Sequence, residues 1–208
     1  MQEILLSPAQ SKTLSALYRA MEERYAAVAE EIGLSCAGCP DNCCDSYFLH
    51  YTYAEWAYLW QGLRTLDEAL LARINGRARR YLAESRALLA RGERPQLLCP
   101  LNEEGLCTLY SHRLMICRLH GIPAAMTRPD GQTLRFPGCF RCQEIVQAKH
   151  AGENDIPRMN RTDLLARMAE LECELLGGKR HLYPKVKRTI AEMIAGGPPR
   201  IDKPFCER

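Results

Sequence analysis

Apolar residues recur every three or four positions in both outer parts of this chain, and the rhythm breaks down between residues 97 and 142. After Ser7-Pro8, Leu14, Leu17, Met21, Tyr25, Val28 and Ile32 fall on one stripe, which predicts a helix that Gly33 ends. Ser7 can cap it, and Pro8 suits the first turn. Thr52 and Glu55 have the spacing of a capping box ahead of Trp56, Leu59 and Trp60. Residues 67–90 read as a long helix that Gly92 closes. Leu70, Ile74, Ala78, Tyr81 and Leu88 lie on or near one face, with Arg73, Arg77, Arg80 and Arg91 elsewhere. Helical patterning returns at 142–150, at 162–176 (Leu164, Met168, Leu171, Leu175) and at 184–195. Gly177-Gly178 stops the second of these, and a Gly-Gly-Pro-Pro run ends the third.

The middle is rich in Cys, Pro and Gly. "AMTRPDGQTLRF" predicts a β-hairpin with Pro129-Asp130-Gly131 as its turn, and residues 113–119 a short helix. The expected fold is mainly α: a single domain over 1–208, helical, wrapped around an irregular Cys-rich metal-binding core with a small β-hairpin. The core spans 36–142, helices flank it at 1–35 and 143–197, and 198–208 is a mobile tail.

Composition changes this picture in one respect. With 47% hydrophobic and 25% charged residues and a net charge of +3, the chain has ordinary soluble composition and no electrostatic case for nucleic acid. No apolar run approaches the about 20 residues of a membrane span. The N-terminus lacks the basic and apolar regions of an export signal, so the expected compartment is the cytoplasm. Yet the chain carries eleven cysteines, an odd number. Cytosolic thiols stay reduced, so a dense set there points to metal rather than to disulfides.

Nine of the cysteines fall into three groups: Cys36, Cys39, Cys43 and Cys44; Cys99, Cys107 and Cys117; Cys139 and Cys142. Two intervening residues let both sulfurs of Cys36-x2-Cys39 or Cys139-x2-Cys142 reach one metal across a tight turn, which Gly38 and Pro40 suit in the first. Consecutive side chains diverge, so Cys43 and Cys44 fit a polynuclear cluster or two neighbouring sites better than one tetrahedral ion. On the bland reading, one of the pair ligates and the other is a small buried hydrophobe. Nine thiols also exceed one four-ligand site. Zinc and iron–sulfur centres both accept four thiolates. Vicinal and surplus cysteines are less typical of closed zinc sites, which favours an iron–sulfur cluster slightly.

"CAGCPDNCC", "CPLNEEGLCTLY" and "RLMICRLHGIP", in that order, resemble the CxxCxxCC cysteine-cluster family, described as zinc- or iron-chelating domains. The resemblance covers residues 36–123 and implies Cys36, Cys39, Cys43, Cys44, Cys99, Cys107 and Cys117 as ligands. Cys139 and Cys142 rest on spacing alone. The first block has three residues before the double Cys where the family has two, and Leu114 stands where the family usually has Pro. A related cysteine-cluster region occurs in the flagellin lysine methylase, so the resemblance also allows a protein-modifying enzyme.

Other residues carry weaker signals. His120 could ligate or support a ligand, although a hydrogen-bonded loop histidine is the commoner case; His112 and His50 are weaker still. Arg113 and Arg118 flank Cys117 and could offset thiolate charge, or lie on an exposed helix face. Residues 64–94 carry eight Arg against four acids, which reads as a solvated helix face ahead of an anionic-partner surface. Trp56 and Trp60 read as core. Cys173 and Cys206 read as non-ligands. The expected function is a cytosolic metal-binding protein with a redox or cluster-handling role and a protein partner. The alternatives are a structural zinc interaction module and the enzyme that the resemblance allows.

Overall fold

A computed structural model describes residues 2–201 except 38, 40–42, 151, 153 and 154. It is mainly helical with small sheets. Helix α1 is Pro8–Ile32, α2 Tyr53–Leu63, α3 Glu68–Ala90, α4 Met115–Leu119, α5 Phe140–Lys149, α6 Thr162–Leu175 and α7 Ile190–Ala195. The strands are β1 Gln2–Glu3, β2 Asn102–Glu103, β3 Leu106–Cys107, β4 Ala124–Thr127, β5 Thr133–Phe136, β6 Met159–Asn160 and β7 Arg200–Ile201.

Side chains fix where the helices begin. The Ser7 hydroxyl accepts from Gln10 N at 3.2 Å, and the Gln10 side chain accepts from Ser7 N at 3.0 Å, a reciprocal box that opens α1. Thr52 caps α2 by accepting from Glu55 N at 3.1 Å, and Asp67 caps α3 by accepting from Leu70 N at 2.8 Å. Helix α7 starts later than its pattern suggested. His50 and Arg188 exchange backbone hydrogen bonds of 2.8 and 3.0 Å, which hold the preceding segment extended. Thr189 and Glu192 then form a complete capping box.

The chain divides into two compact units, one from residues 1–11, 42–114 and 172–208, the other from 12–41 and 115–171. The expected 36–142 core is therefore shared between them. In the first unit α3 packs against α7, and Tyr53, Trp56, Leu59, Leu63, Ile74 and Met193 belong to one buried cluster. The indole N–H groups of Trp56 and Trp60 both donate to Met193 O, at 3.1 and 2.9 Å, so these residues are core as their spacing suggested. Strand β7 pairs antiparallel with β1, which orders Arg200 and Ile201 at the start of the expected tail. The rest of that tail, Cys206 included, lies outside the described residues.

The second unit contains the expected hairpin. Strands β4 and β5 pair antiparallel, Gly131 turns them at φ 83°, and β6 adds to β4 in parallel. Its buried apolar residues include Leu14, Leu17, Met21, Leu119, Ile122, Met159, Leu164 and Met168. Among the described residues no helix is long and apolar enough to cross a membrane.

Candidate metal centre

Each unit holds its own set of cysteines. In the first unit Cys43 and Cys44 lie in the 3-10 turn Cys43–Asp45. A backbone bond of 2.9 Å from Cys99 N to Cys44 O ties that turn to the loop after α3. Asn102 N donates in turn to Cys99 O at 2.9 Å, and Asn102 opens strand β2, where it pairs with Cys107 of β3. Four cysteines from positions 43 to 107 are thus linked through one short backbone relay. Cys43 is exposed; Cys44, Cys99 and Cys107 are half-buried, and the last two pack on the apolar core.

The electrostatics at Cys44 favour thiolate. The Cys44 pKa falls to about 6, chiefly through a hydrogen bond from the Cys43 side chain, helped by Asn102 and by the positive charge of Arg113. Burial and Asp45 oppose the fall. Asn102 is 9% exposed, and its Nδ2 has no partner at normal hydrogen-bond length, so the group it serves is the Cys44 sulfur. Arg113 itself lies over the Tyr110 ring at 4.8 Å.

The second unit holds Cys36, Cys39, Cys117, Cys139 and Cys142. Cys39 N donates to Cys36 O at 3.2 Å, which makes the Cys36-x2-Cys39 segment a tight turn. The two residues expected to suit that turn, Gly38 and Pro40, lie outside the described residues. The Tyr25 hydroxyl stands 4.0 Å from Cys36 Sγ. A Cβ on Gly121 would stand 2.5 Å from that hydroxyl, so the close approach requires glycine there. Gly121 O accepts from Cys139 N at 3.0 Å. Cys139 is the N-cap residue of α5, and Cys142 is fully buried with Ile32 and Val146. Burial, and then the charge of Cys139, push the Cys142 thiol up to about 11. Cys117 sits half-buried in α4.

No disulfide joins the described cysteines. Among the described residues, no three His, Cys, Asp or Glu side chains already stand in a metal-binding arrangement. The donor chemistry of the first unit nevertheless fits a thiophilic metal: four sulfurs, an amide N–H without another acceptor, and a nearby guanidinium.

The remaining candidates separate. Arg118 is 7% exposed, pairs with Glu22 and lies over the Tyr18 ring at 4.5 Å, so packing and ion pairing hold it. Arg113 lowers the Cys44 pKa through its positive charge. His112 stacks on Tyr58 with ring centroids 4.6 Å apart. His50 is 2% exposed and faces Glu55 at 3.5 Å. His120 is held below the usual histidine range by burial and by Arg161. Cys173 is exposed on α6. Asn102 and Tyr25 were not apparent from spacing. Asn102 hides in a turn-forming "LNEEG" stretch, and Tyr25 looks like one more residue of an apolar stripe.

No family model matches the chain, and no curated protein or solved structure matches it either.

Proposed function

We propose that the chain is a cysteine-cluster metal protein of the kind it resembles, with an iron–sulfur cluster favoured over zinc and a redox or cluster-handling role alongside a protein partner in the cytoplasm. The observation that supports this reading is the backbone relay from Cys44 through Cys99 and Asn102 to Cys107, beside which the buried Asn102 amide has the Cys44 sulfur as its acceptor. Cys43, Cys44, Cys99 and Cys107 would hold metal in the first unit, and Cys36, Cys39 and Cys117 in the second. Cys139 and Cys142 are further candidates there by spacing. An iron–sulfur cluster would supply one-electron chemistry. The chain's part is to deliver thiolates and to offset their charge. Asn102 can donate to the Cys44 sulfur, Arg113 supplies positive charge, and the exposed Cys43 leaves one side open to a partner. Metal binding would draw each ligand set together and so couple metal to folding.

Anaerobic purification followed by iron, zinc and acid-labile sulfide assays tests the reading. The expected protein is brown and contains sulfide. Cys39→Ser and Cys107→Ser should each lower metal content, and Cys173→Ser should leave it unchanged. Unchanged metal in both of the first two variants refutes the ligand assignment. Colourless protein with stoichiometric zinc replaces the redox reading by the structural zinc one.

A further inference from the structure

Arg161, in the second unit, is a buried cation whose interactions among the described residues include no carboxylate. It stands between β6 and α6, where its backbone N donates to Ala125 O at 2.9 Å, and it is 7% exposed. Its Nη2 donates to Leu119 O, its guanidinium lies over the Phe136 ring at 5.3 Å, and its buried Nε has no hydrogen-bond partner among the described residues. A carbonyl and a ring face satisfy part of a five-donor group, but neither carries a full negative charge. Burial pulls the Arg161 pKa down to about 10, and Tyr25 opposes the fall. A charge taken out of water at this cost ordinarily has a counter-charge beside it.

The reach of its field identifies that counter-charge. Arg161 acts on Tyr25, whose hydroxyl stands 4.0 Å from Cys36 Sγ. It also acts on His120, the residue after α4, and α4 carries Cys117. The carbonyl it holds, that of Leu119, comes two residues after Cys117. Its influence therefore extends to two segments that bring cysteines of the second set, from opposite sides of the sequence.

We propose that Arg161 is the counter-charge of the second cysteine set: its guanidinium offsets the negative charge that Cys36, Cys39 and Cys117 acquire as thiolates on a metal, while the Tyr25 hydroxyl donates to the Cys36 sulfur. The inference rests on the metal reading and deepens it. Three thiolates exceed the charge of one divalent ion, and the surplus is negative. Arg161 is a positioning residue here, acting through its field and through Tyr25 and not as a ligand. The arrangement is the second unit's counterpart of Arg113 and Asn102 at Cys44.

Cobalt(II) binding to the full-length Cys107→Ser protein, in which the second set is intact, tests the proposal by chelator competition, with the thiolate-to-cobalt absorption band reporting sulfur ligation. Arg161→Gln should weaken cobalt binding by at least about tenfold, the scale of a lost outer-sphere partner. Arg161→Lys keeps the charge and should recover most of that loss. Tyr25→Phe removes a single hydroxyl and should weaken binding by about tenfold in a chain that folds normally. In Cys117→Ser protein, which keeps the first set, Arg161→Gln and Tyr25→Phe should leave cobalt affinity unchanged; a general loss of fold would lower it there as well. Equal losses in the two backgrounds, equal losses with Gln and Lys at 161, or unchanged affinity in folded Arg161→Gln and Tyr25→Phe proteins overturns the inference and leaves the metal reading standing. Absence of cobalt from the Cys107→Ser protein overturns it too, because the second set then binds nothing by itself. Absence of cobalt from the natural chain sinks the metal reading and this inference together.

Discussion

Gly131 and Gly138 both have positive φ, at 83° and 89°, but they meet different surroundings. A Cβ at Gly131 would meet nothing within 4 Å. One at Gly138 would stand 2.7 Å from Gly121 O and 3.1 Å from Cys142 Sγ. Gly131→Ala should therefore cost about 1–2 kcal/mol, the left-handed penalty alone. Gly138→Ala should add an overpacking cost of about 1–3 kcal/mol, because a backbone carbonyl cannot swing aside. Urea unfolding of the two variants checks the order; equal losses would mean that the Cys139 turn gives way easily. Gly131 was legible in the sequence, because Pro-Asp-Gly between two alternating runs is a turn. Gly138 was not, since its constraint comes from Gly121, which approaches only when Cys139 N finds its acceptor.

At the scale of elements, the sequence exposed what is local and hid what is distant. The α1 stripe, the α3 face and the β4–β5 hairpin follow from spacing within each element. The start of α2 does not. Thr52 is a visible cap, but the first two N–H groups of α2, on Tyr53 and Ala54, both donate at 2.9 Å to the Glu172 carboxylate, which is 119 and 118 residues away. Glu172 is 4% exposed, and Arg180 lies 3.4 Å from it. Burial raises its pKa, against the pull of the two backbone bonds and of Arg180. For a carboxyl whose folded pKa is raised, the stabilising contribution is complete below the unfolded value of about 4 and is lost as pH climbs through the folded value. Glu172→Gln does not titrate. The stability of the natural protein relative to that variant should therefore fall as pH rises from about 4 towards 7. Glu172→Ala orphans buried donors and should cost about 1–3 kcal/mol. Thermal melts across that pH range read both effects; a difference between natural protein and Glu172→Gln that ignores pH would show that Glu172 does not titrate there.

For the whole molecule, the informative boundary is the one that runs through the cysteine block. Spacing groups Cys36, Cys39, Cys43 and Cys44 as one motif, yet the two compact units part between residues 41 and 42. Cys43 and Cys44 go with Cys99 and Cys107, and Cys36 and Cys39 go with Cys117, Cys139 and Cys142. Sequence proximity could not reveal this, because the partition is set by which long-range partners each half of the block meets. The Cys44–Cys99 backbone bond claims one half, and the Tyr25–Cys36 contact and the Gly121 carbonyl mark the surroundings of the other. If each set holds its own metal, the proposed function acquires a stoichiometric signature. Cys107→Ser and Cys117→Ser should each remove about half of the bound metal, and the double variant nearly all, because ligand loss at one site leaves the other set intact. Metal content per chain, measured on folded protein, reads the outcome directly. Complete loss in each single variant would mean one shared cluster in place of two centres, and the unit boundary would then not divide the chemistry.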